Sequence, residues 1–280
     1  MGRKDGRRLK HTDPMYAAAM HIMVERNDAI NATKIYVPLE PIRKYIREQK
    51  RQGHVLSHMG VVLAAYVRTV AEFPQMNRFI VNKRIYARNE ISVGMVVLQP
   101  GVEEGETMSK MYFEKTDTVY DAQRKIDEYV EHNRQVNADN PTEKILGFLF
   151  SVPGLIRFGV NFIKWMDKHN LLPRAVIDMS PFHESLVITN LGSLRSNSIY
   201  HHIYNFGTTG MVIAMGCPEE VPVQKKGEIV FERMIPMGIT MDERLCHGNY
   251  YVNAFHRFQQ YMKDPSLLEG PPEVINEDCD

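Results

Sequence analysis

The sequence predicts an α+β domain in which a mixed β-sheet is covered by helices. The chain has 280 residues, of which 44% are hydrophobic, so it can bury a substantial core. Helix-like patterns are concentrated in its first half and strand-like patterns in its second half. The later strand-like segments lie too close together for a helical crossover between each pair, which favours a mixed sheet over a doubly wound one.

The strongest helix prediction follows Ser57. Apolar residues recur after it at intervals of three and four, and Pro74 ends the pattern. Ser57 is typical of the residue that precedes a helix, because its hydroxyl can accept a hydrogen bond from the first turn. Two further helices are predicted, one beginning at Pro41 and one over residues 118–134.

Strands are predicted where apolar residues alternate with polar ones or where β-branched residues cluster. Neither an internal repeat nor a low-complexity linker interrupts their order, so we expect one compact domain. The predicted strands are residues 33–39, 91–98, 107–115, 186–193, 211–216 and 228–241.

The charge balance and the cysteines argue against several classes of protein. Basic and acidic residues number 34 each, so no overall field would attract nucleic acid or an anionic membrane. Cys217, Cys246 and Cys279 are odd in number and widely spaced, which favours a reducing cytoplasm over a disulfide framework and gives no metal-ligand spacing. We therefore expect a cytoplasmic protein with neither a nucleic-acid partner nor a bound metal.

The two ends of the chain differ in composition from its middle. Residues 1–19 are basic but lack the apolar run of a secretory signal, so they are predicted to form an N-terminal arm. Residues 271–280 are predicted to be an acidic C-terminal tail. Residues 20–270 remain as the single folded domain.

The densest group of ionisable residues lies near the C-terminus, within residues 237–258. Apolar residues first alternate there and then recur at helical spacing, which predicts a strand, a tight turn and a helix. Backbone N–H groups point outward at the start of a helix, so this turn is the first candidate for an active site. The turn contains Asp242, Glu243, Arg244, Cys246, His247 and Gly248.

Four separate segments resemble, in the same order, the catalytic domain of the dihydrolipoyl acyltransferases of 2-oxo acid dehydrogenase complexes. This family shares a fold with chloramphenicol acetyltransferase. The resemblance covers roughly residues 20–270, with an unusual patch at 140–180. The four segments are FPQMNRFIVNKRIYARNEISVGMVV (73–97), SLVITNLGS (185–193), FGTTGMVIAMG (206–216) and MDERLCHGNYYVNAFHRFQQYMKDPSLL (241–268).

The resemblance implies a chloramphenicol acetyltransferase-like fold and an acyltransferase activity. It also implies coenzyme A, as an acyl-CoA substrate, and a homotrimer whose active sites lie between subunits. The acyl group and its acceptor are not indicated, and the sequence assigns no residue to coenzyme A. The chain has no segment that resembles a lipoyl domain, so no covalently bound lipoyl group is expected on it.

The turn departs from the family at two positions. The family motif reads His-x-x-x-Asp-Gly, with the histidine as the general base that takes a thiol proton. The corresponding residues here are Glu243 and His247. A thiol with a pKa of about 8.5 gives its proton less readily to a carboxylate with a pKa of about 4.3 than to an imidazole with a pKa of about 6.5. Glu243 is therefore a poorer proton acceptor than the family's histidine unless desolvation raises its pKa.

Three interpretations of this exchange are open. Glu243 could be the base, if burial between subunits raises its pKa. Alternatively, the turn could lead straight into a helix that places Glu243 and His247 on one face, so that Glu243 orients His247 as the base. In the third interpretation the site is inert, Glu243 pairs with Arg244, and the protein is a trimeric scaffold or an acyl-CoA-binding module.

Other residues are weaker candidates. Thr189 occupies the family position whose hydroxyl stabilises the oxyanion, although a β-branched residue is also ordinary in a strand. His201 and His202 could supply a replacement base or could pack at an interface. Cys246 could be a nucleophile or a small buried apolar residue, and the second is favoured. Arg244 is predicted to anchor the turn by ion pairing.

The apolar region at 145–165 is the least family-like part of the chain. Pro153, Arg157 and Asn161 interrupt it, so it is predicted to form a helical hairpin or two short helices rather than a membrane span. These helices could belong to the core or to an interface. Alternatively, they could form a lid that lines a pocket for an acyl group bulkier than acetyl or succinyl.

Overall fold

The computed structural model describes residues 2–10, 13–98, 106–135 and 154–278. Strands and helices alternate irregularly along the chain. The strands are β1 (Gly6–Arg8), β2 (Ile30–Pro38), β3 (Arg78–Val81), β4 (Arg84–Arg88), β5 (Ile91–Leu98), β6 (Glu106–Phe113), β7 (Leu186–Asn190), β8 (Met211–Met215), β9 (Glu219–Lys225) and β10 (Glu228–Asp242). The helices are α1 (Pro14–Ile22), α2 (Leu39–Arg51), α3 (His58–Glu72), α4 (Val119–Gln135), α5 (Leu155–Lys168), α6 (Arg174–Met179) and α7 (Gly248–Lys263).

The main sheet has seven strands and is mixed. Its order is β2-β10-β8-β7-β5-β6, and β9 pairs with β10 outside this path. Strand β7 runs parallel to both β5 and β8, whereas the other pairs in this sheet are antiparallel. Helices cover the sheet, so the predicted α+β fold is confirmed.

One face of the main sheet carries the core. Helix α3 lies across this face and is buried along almost its whole length, as its apolar pattern predicts. The Ser57 hydroxyl accepts a hydrogen bond from the Gly60 amide at 3.0 Å, so the predicted cap is formed. Each side chain buried from the sheet contributes about 1.5–3 kcal/mol. The core residues of β7, β8 and β10 include Leu186, Ile188, Met211, Ile213, Met237 and Ile239.

A second, three-stranded sheet was not predicted from the sequence. Its order is β1-β4-β3. Strands β3 and β4 form a hairpin through Asn82 and Lys83, which both have a positive φ. Positive φ at both central residues is typical of the two-residue turns that join hairpins, but such turns usually contain glycine. The lack of glycine at this turn explains why the hairpin was missed.

The N-terminal residues are packed against the domain. Strand β1 pairs with β4, and the buried Arg3 guanidinium forms ion pairs with Asp5 at 2.6 Å and with Asp167 at 2.7 Å. At the other end of the chain, Asp278 pairs with Arg78 at 2.6 Å. The predicted boundaries of the arm and the tail stay predictions.

The structure describes only part of the apolar region at residues 145–165. Residues 145–153 lie outside the described residues, and the following residues form α5. Among the helices that the structure describes, none has both the length and the apolar character needed to cross a bilayer.

Candidate active site

A buried carboxylate fixes the turn between β10 and α7. Asp242 is the last residue of β10, and its Oδ1 accepts hydrogen bonds from the Arg244 amide at 3.1 Å and from Arg244 Nε at 2.9 Å. Arg244 Nη2 donates to Asp242 Oδ2 at 2.7 Å. These bonds fold the chain back on itself immediately after the strand. Arg244 therefore anchors the turn by ion pairing, and its partner is Asp242.

Arg26 connects this turn to the chain before β8. Its Nε lies 3.4 Å from Asp242 Oδ2, and its two terminal nitrogens donate to the carbonyls of Tyr204 at 2.6 Å and Gly207 at 3.0 Å. Burial lowers the pKa of Arg26, while Asp242 opposes this shift. Asp242 thus neutralises two buried guanidinium groups that would otherwise be costly.

Glu243 lies at the surface of the single chain. Its amide donates to the Ala29 carbonyl at 2.8 Å, and one carboxylate oxygen accepts a hydrogen bond from Asn31 at 3.0 Å. The ion pair suggested between Glu243 and Arg244 is not formed, because Arg244 is already bound to Asp242. Burial of Glu243 between subunits stays a prediction.

His247 is exposed and immediately precedes α7. Its carbonyl accepts hydrogen bonds from the amides of Tyr250 at 2.9 Å and Tyr251 at 3.2 Å, which starts the helix. The interpretation in which the turn leads straight into a helix is not met in the single chain, because the helix begins only at Gly248. Within the described residues no hydrogen bond joins Glu243 to His247. An inverted dyad is therefore not formed in this conformation of the single chain.

Tyr16 is a member of this cluster that the sequence analysis missed. Its ring lies edge-on to the His247 imidazole, with 4.3 Å between the ring centroids. Partial burial raises its pKa well above the usual range, with additional contributions from Cys246 and Glu243 and an opposing one from Arg78. The phenol therefore stays protonated and is available as a hydrogen-bond donor. The Asp13-Pro14 pair signals the start of α1, but nothing in the sequence shows where that helix docks.

Cys246 is an apolar core residue of the turn. It is fully buried, and this burial raises the pKa of its thiol to about 12. A thiol rather than a thiolate is present at neutral pH, and only the thiolate is an effective nucleophile. The structure therefore supports the interpretation of Cys246 as a small buried apolar residue.

Thr189 lies far from the turn within one chain. It pairs with Ala214, which in turn pairs with Gly238 of β10. Gly238 precedes Glu243 by five residues, a distance of about 17 Å along an extended strand. Thr189 is half-buried on the face of the sheet opposite to the core residue Ile188. A single chain therefore does not bring Thr189 and Glu243 together.

An apolar cavity of about 310 Å³ lies on the same outer face. Val187, two residues before Thr189, contributes to its floor, and the Thr209 hydroxyl on its wall is buried without a hydrogen-bond partner among the described residues. His201 is half-buried and His202 exposed, and their rings stack at 4.7 Å. The other lining residues are Val96, Met108, Pro181, Phe182, Ile203, Tyr204, Phe206 and Val212.

Metal binding receives no support from side-chain clusters. Among residues 2–10, 13–98, 106–135 and 154–278, no group of three or more His, Cys, Asp or Glu side chains is arranged to hold an ion.

Comparison with known proteins gives this geometry a context. Residues 180–269 match the family model for the catalytic domain of 2-oxoacid dehydrogenase acyltransferases. The matched region contains Thr189, Glu243 and His247. A curated relative from Bacillus subtilis (strain 168), the dihydrolipoyllysine-residue acetyltransferase component of an acetoin cleaving system, is 22% identical over 220 residues. The match covers 79% of this chain and 44% of the relative, so the chain spans less than half the relative's length.

Solved structures extend the likeness to the whole fold. A probable dihydrolipoamide acetyltransferase from Listeria monocytogenes 4b F2365 has a TM-score of 0.58 at 14% identity, covering 92% of this chain and 94% of that one. The chain has the fold of these acyltransferases. The cubic core of a pyruvate dehydrogenase multienzyme complex gives a TM-score of 0.60 at 13% identity over 94% of this chain and 93% of that chain.

Chloramphenicol acetyltransferase also shares this acyltransferase fold. Its TM-score is 0.54 at 10% identity, with 92% of this chain and 100% of that chain covered. The resemblance predicted from the four sequence segments is therefore confirmed, as is the chloramphenicol acetyltransferase-like fold.

Proposed function

We propose that this protein transfers an acyl group from a coenzyme A thioester to an acceptor, at sites formed between the subunits of a homotrimer. The observation that carries the proposal is the separation of Thr189 from Glu243. Both lie in the region that matches the acyltransferase family, yet within one chain the strand register places Thr189 level with Gly238, which is about 17 Å along β10 from Glu243. A neighbouring subunit can bring a second copy of Thr189 to the turn.

Glu243 is the proposed general base of such a site. It occupies the family position of the base and lies at the surface, where a second subunit can cover it. Covering a carboxylate withdraws it from water, which raises its pKa and improves it as a proton acceptor. Tyr16, whose ring packs on His247, is a protonated phenol that can donate a hydrogen bond to a substrate oxygen.

The proposed reaction is an acyl transfer through a tetrahedral intermediate. A thiol, hydroxyl or amine of the acceptor attacks the thioester carbonyl, and Glu243 takes the proton that the acceptor loses. The Thr189 hydroxyl donates a hydrogen bond to the oxyanion. When the carbon–sulfur bond breaks, the proton held by Glu243 returns to the sulfur of coenzyme A. The new bond joins the acyl carbon to the acceptor.

The apolar cavity that includes Val187, two residues before Thr189, is the proposed site for the hydrocarbon part of the acyl group. It opens on the same face of the sheet as Thr189, and apolar residues form its floor. Because a cavity of about 310 Å³ exceeds the volume of an acetyl group, we expect a longer or branched acyl chain. The unpaired Thr209 hydroxyl offers one polar contact.

A non-catalytic role is the second candidate. Glu243 is hydrogen-bonded to Asn31 in the single chain, and His247 contacts Tyr16 rather than a carboxylate. These contacts also suit a trimeric scaffold, or a module that binds acyl-CoA without turning it over.

An assay of coenzyme A release from a panel of acyl-CoAs, each supplied with thiol, hydroxyl and amine acceptors, separates the two candidates. If Glu243 is the base, Glu243→Gln lowers kcat by about 10²–10⁴-fold. His247→Ala and Tyr16→Phe then have smaller effects, because neither residue takes the proton. Equal turnover by the wild type and Glu243→Gln would contradict the assignment. Binding of acyl-CoA without turnover by the wild type would instead support the non-catalytic role.

A further inference from the structure

Helix α5 exposes a continuous aromatic stripe. Phe158, Phe162, Trp165 and His169 follow one another at intervals of four, three and four residues, so they share one side of the helix. Each ring lies next to the ring of the following member, and the three centroid distances along the stripe are 6.2, 6.2 and 4.7 Å. Phe158, Phe162 and Trp165 are 70%, 49% and 50% exposed. This much aligned aromatic surface indicates contact with something apolar.

A basic stripe runs beside the aromatic one. Each residue of the basic stripe immediately precedes a member of the aromatic stripe in the sequence, and each is exposed. These residues are Arg157, Lys164 and Lys168. The acidic residue of this helix, Asp167, points into the domain, where it pairs with Arg3 at 2.7 Å and lies 3.3 Å from His183. The outer surface of α5 therefore combines aromatic rings with positive charge.

The inner side of α5 already holds the helix on the domain. Asp167 is buried by its contacts, and the side-chain Nδ2 of Asn170, just beyond the helix, donates to the Tyr86 hydroxyl at 3.2 Å. The aromatic stripe is thus not needed to attach the helix. Helix α5 also lies before residues 180–269, outside the part of the chain that matches the acyltransferase family.

We propose that α5 binds to the surface of an anionic membrane. Helices that lie in the interface place Trp and Phe at the headgroup level and Lys or Arg against the phosphates, which is the composition of these two stripes. The charge complementarity selects an anionic lipid surface, since a neutral one would leave the three cations without partners. The helix lies on the bilayer and does not cross it.

The chain contains its own probe for this contact. Trp165 is the one tryptophan in the sequence, so tryptophan fluorescence reports on the aromatic stripe alone. The full chain is titrated with vesicles of phosphatidylcholine, or of an equimolar mixture of phosphatidylcholine and phosphatidylglycerol. We expect a blue shift, and quenching by lipids brominated in the acyl chain, with the mixed vesicles. Added salt should weaken the binding.

Two double variants test the two stripes. Lys164→Glu with Lys168→Glu should weaken vesicle binding by about tenfold or more, and Phe158→Ser with Phe162→Ser should abolish the quenching. The control is Lys44→Glu with Arg47→Glu, which makes the same charge change at exposed positions of α2 and should leave binding unchanged.

Three results would overturn the proposal. The first is the absence of a fluorescence shift with the mixed vesicles. The second is an equal shift with neutral vesicles that the charge variants retain. The third is a change in oligomeric state when either stripe is substituted in the absence of lipid, which would assign α5 to a protein–protein contact. Size-exclusion chromatography with light scattering measures the oligomeric state of each variant.

Discussion

The turn after β10 contains two pairs of residues with opposite properties. Asp242 and Arg244 are buried and joined by three hydrogen bonds. Glu243 and His247 are exposed, and no hydrogen bond joins them within the described residues. The framework of the turn is therefore firmly held, whereas the residues proposed for the chemistry lie at its surface. Fold and chemistry can be tested separately at this one turn.

The largest expected effect tests the buried pair. Asp242→Asn removes the charge that neutralises Arg244 and Arg26, so we expect the free energy of unfolding to fall by about 3–5 kcal/mol. Urea denaturation measures the change. The matched control is Asp178→Asn, which alters a half-exposed pair with Arg174 and should cost less than about 1 kcal/mol. Equal effects of the two substitutions would show that burial does not set the strength of the Asp242 contacts.

A smaller expected effect concerns the thiol inside the turn. Burial raises the pKa of Cys246 to about 12, while an unfolded cysteine has a pKa of about 8.5. Above about pH 8.5 the thiol loses its proton in the unfolded chain but keeps it in the folded chain. Cys246 therefore makes the free energy of unfolding fall as pH rises. Cys246→Ala should therefore lose less stability than the wild type between about pH 8.5 and 10. Parallel stability curves for the two proteins would contradict the assignment of a buried thiol.

Sequence patterns predicted the core-facing elements better than the edges of the fold. Helix α3 and strands β5, β8 and β10 lie close to their predicted positions, because burial imposes a regular apolar spacing on them. The hairpin of β3 and β4 was missed because its turn, Asn82-Lys83, lacks glycine. Strand β9, which pairs only with β10 at the edge of the sheet, was missed as well, since its exposed positions show little apolar contrast.

The candidate site was predictable only in part. The apolar spacing predicted the strand, turn and helix around Glu243, and the predicted ion pairing by Arg244 is observed. The docking of Tyr16 on His247 and the separation of Thr189 from Glu243 depend on how distant segments fold together. Local spacing contains no information on such contacts, so these features required the structure.

The central claim, that Thr189 and Glu243 from different subunits form one site, can be tested by mixing two inactive subunits. Thr189→Val and Glu243→Gln are co-expressed with different tags, and mixed oligomers are isolated by two affinity steps. If the site is shared, an interface that joins the intact Thr189 of one subunit to the intact Glu243 of its neighbour is active, and each mixed trimer contains one such interface among its three. The account therefore predicts acyl-transfer activity in mixed oligomers of two variants that are each inactive alone. Mixed oligomers as inactive as the separate variants would contradict it.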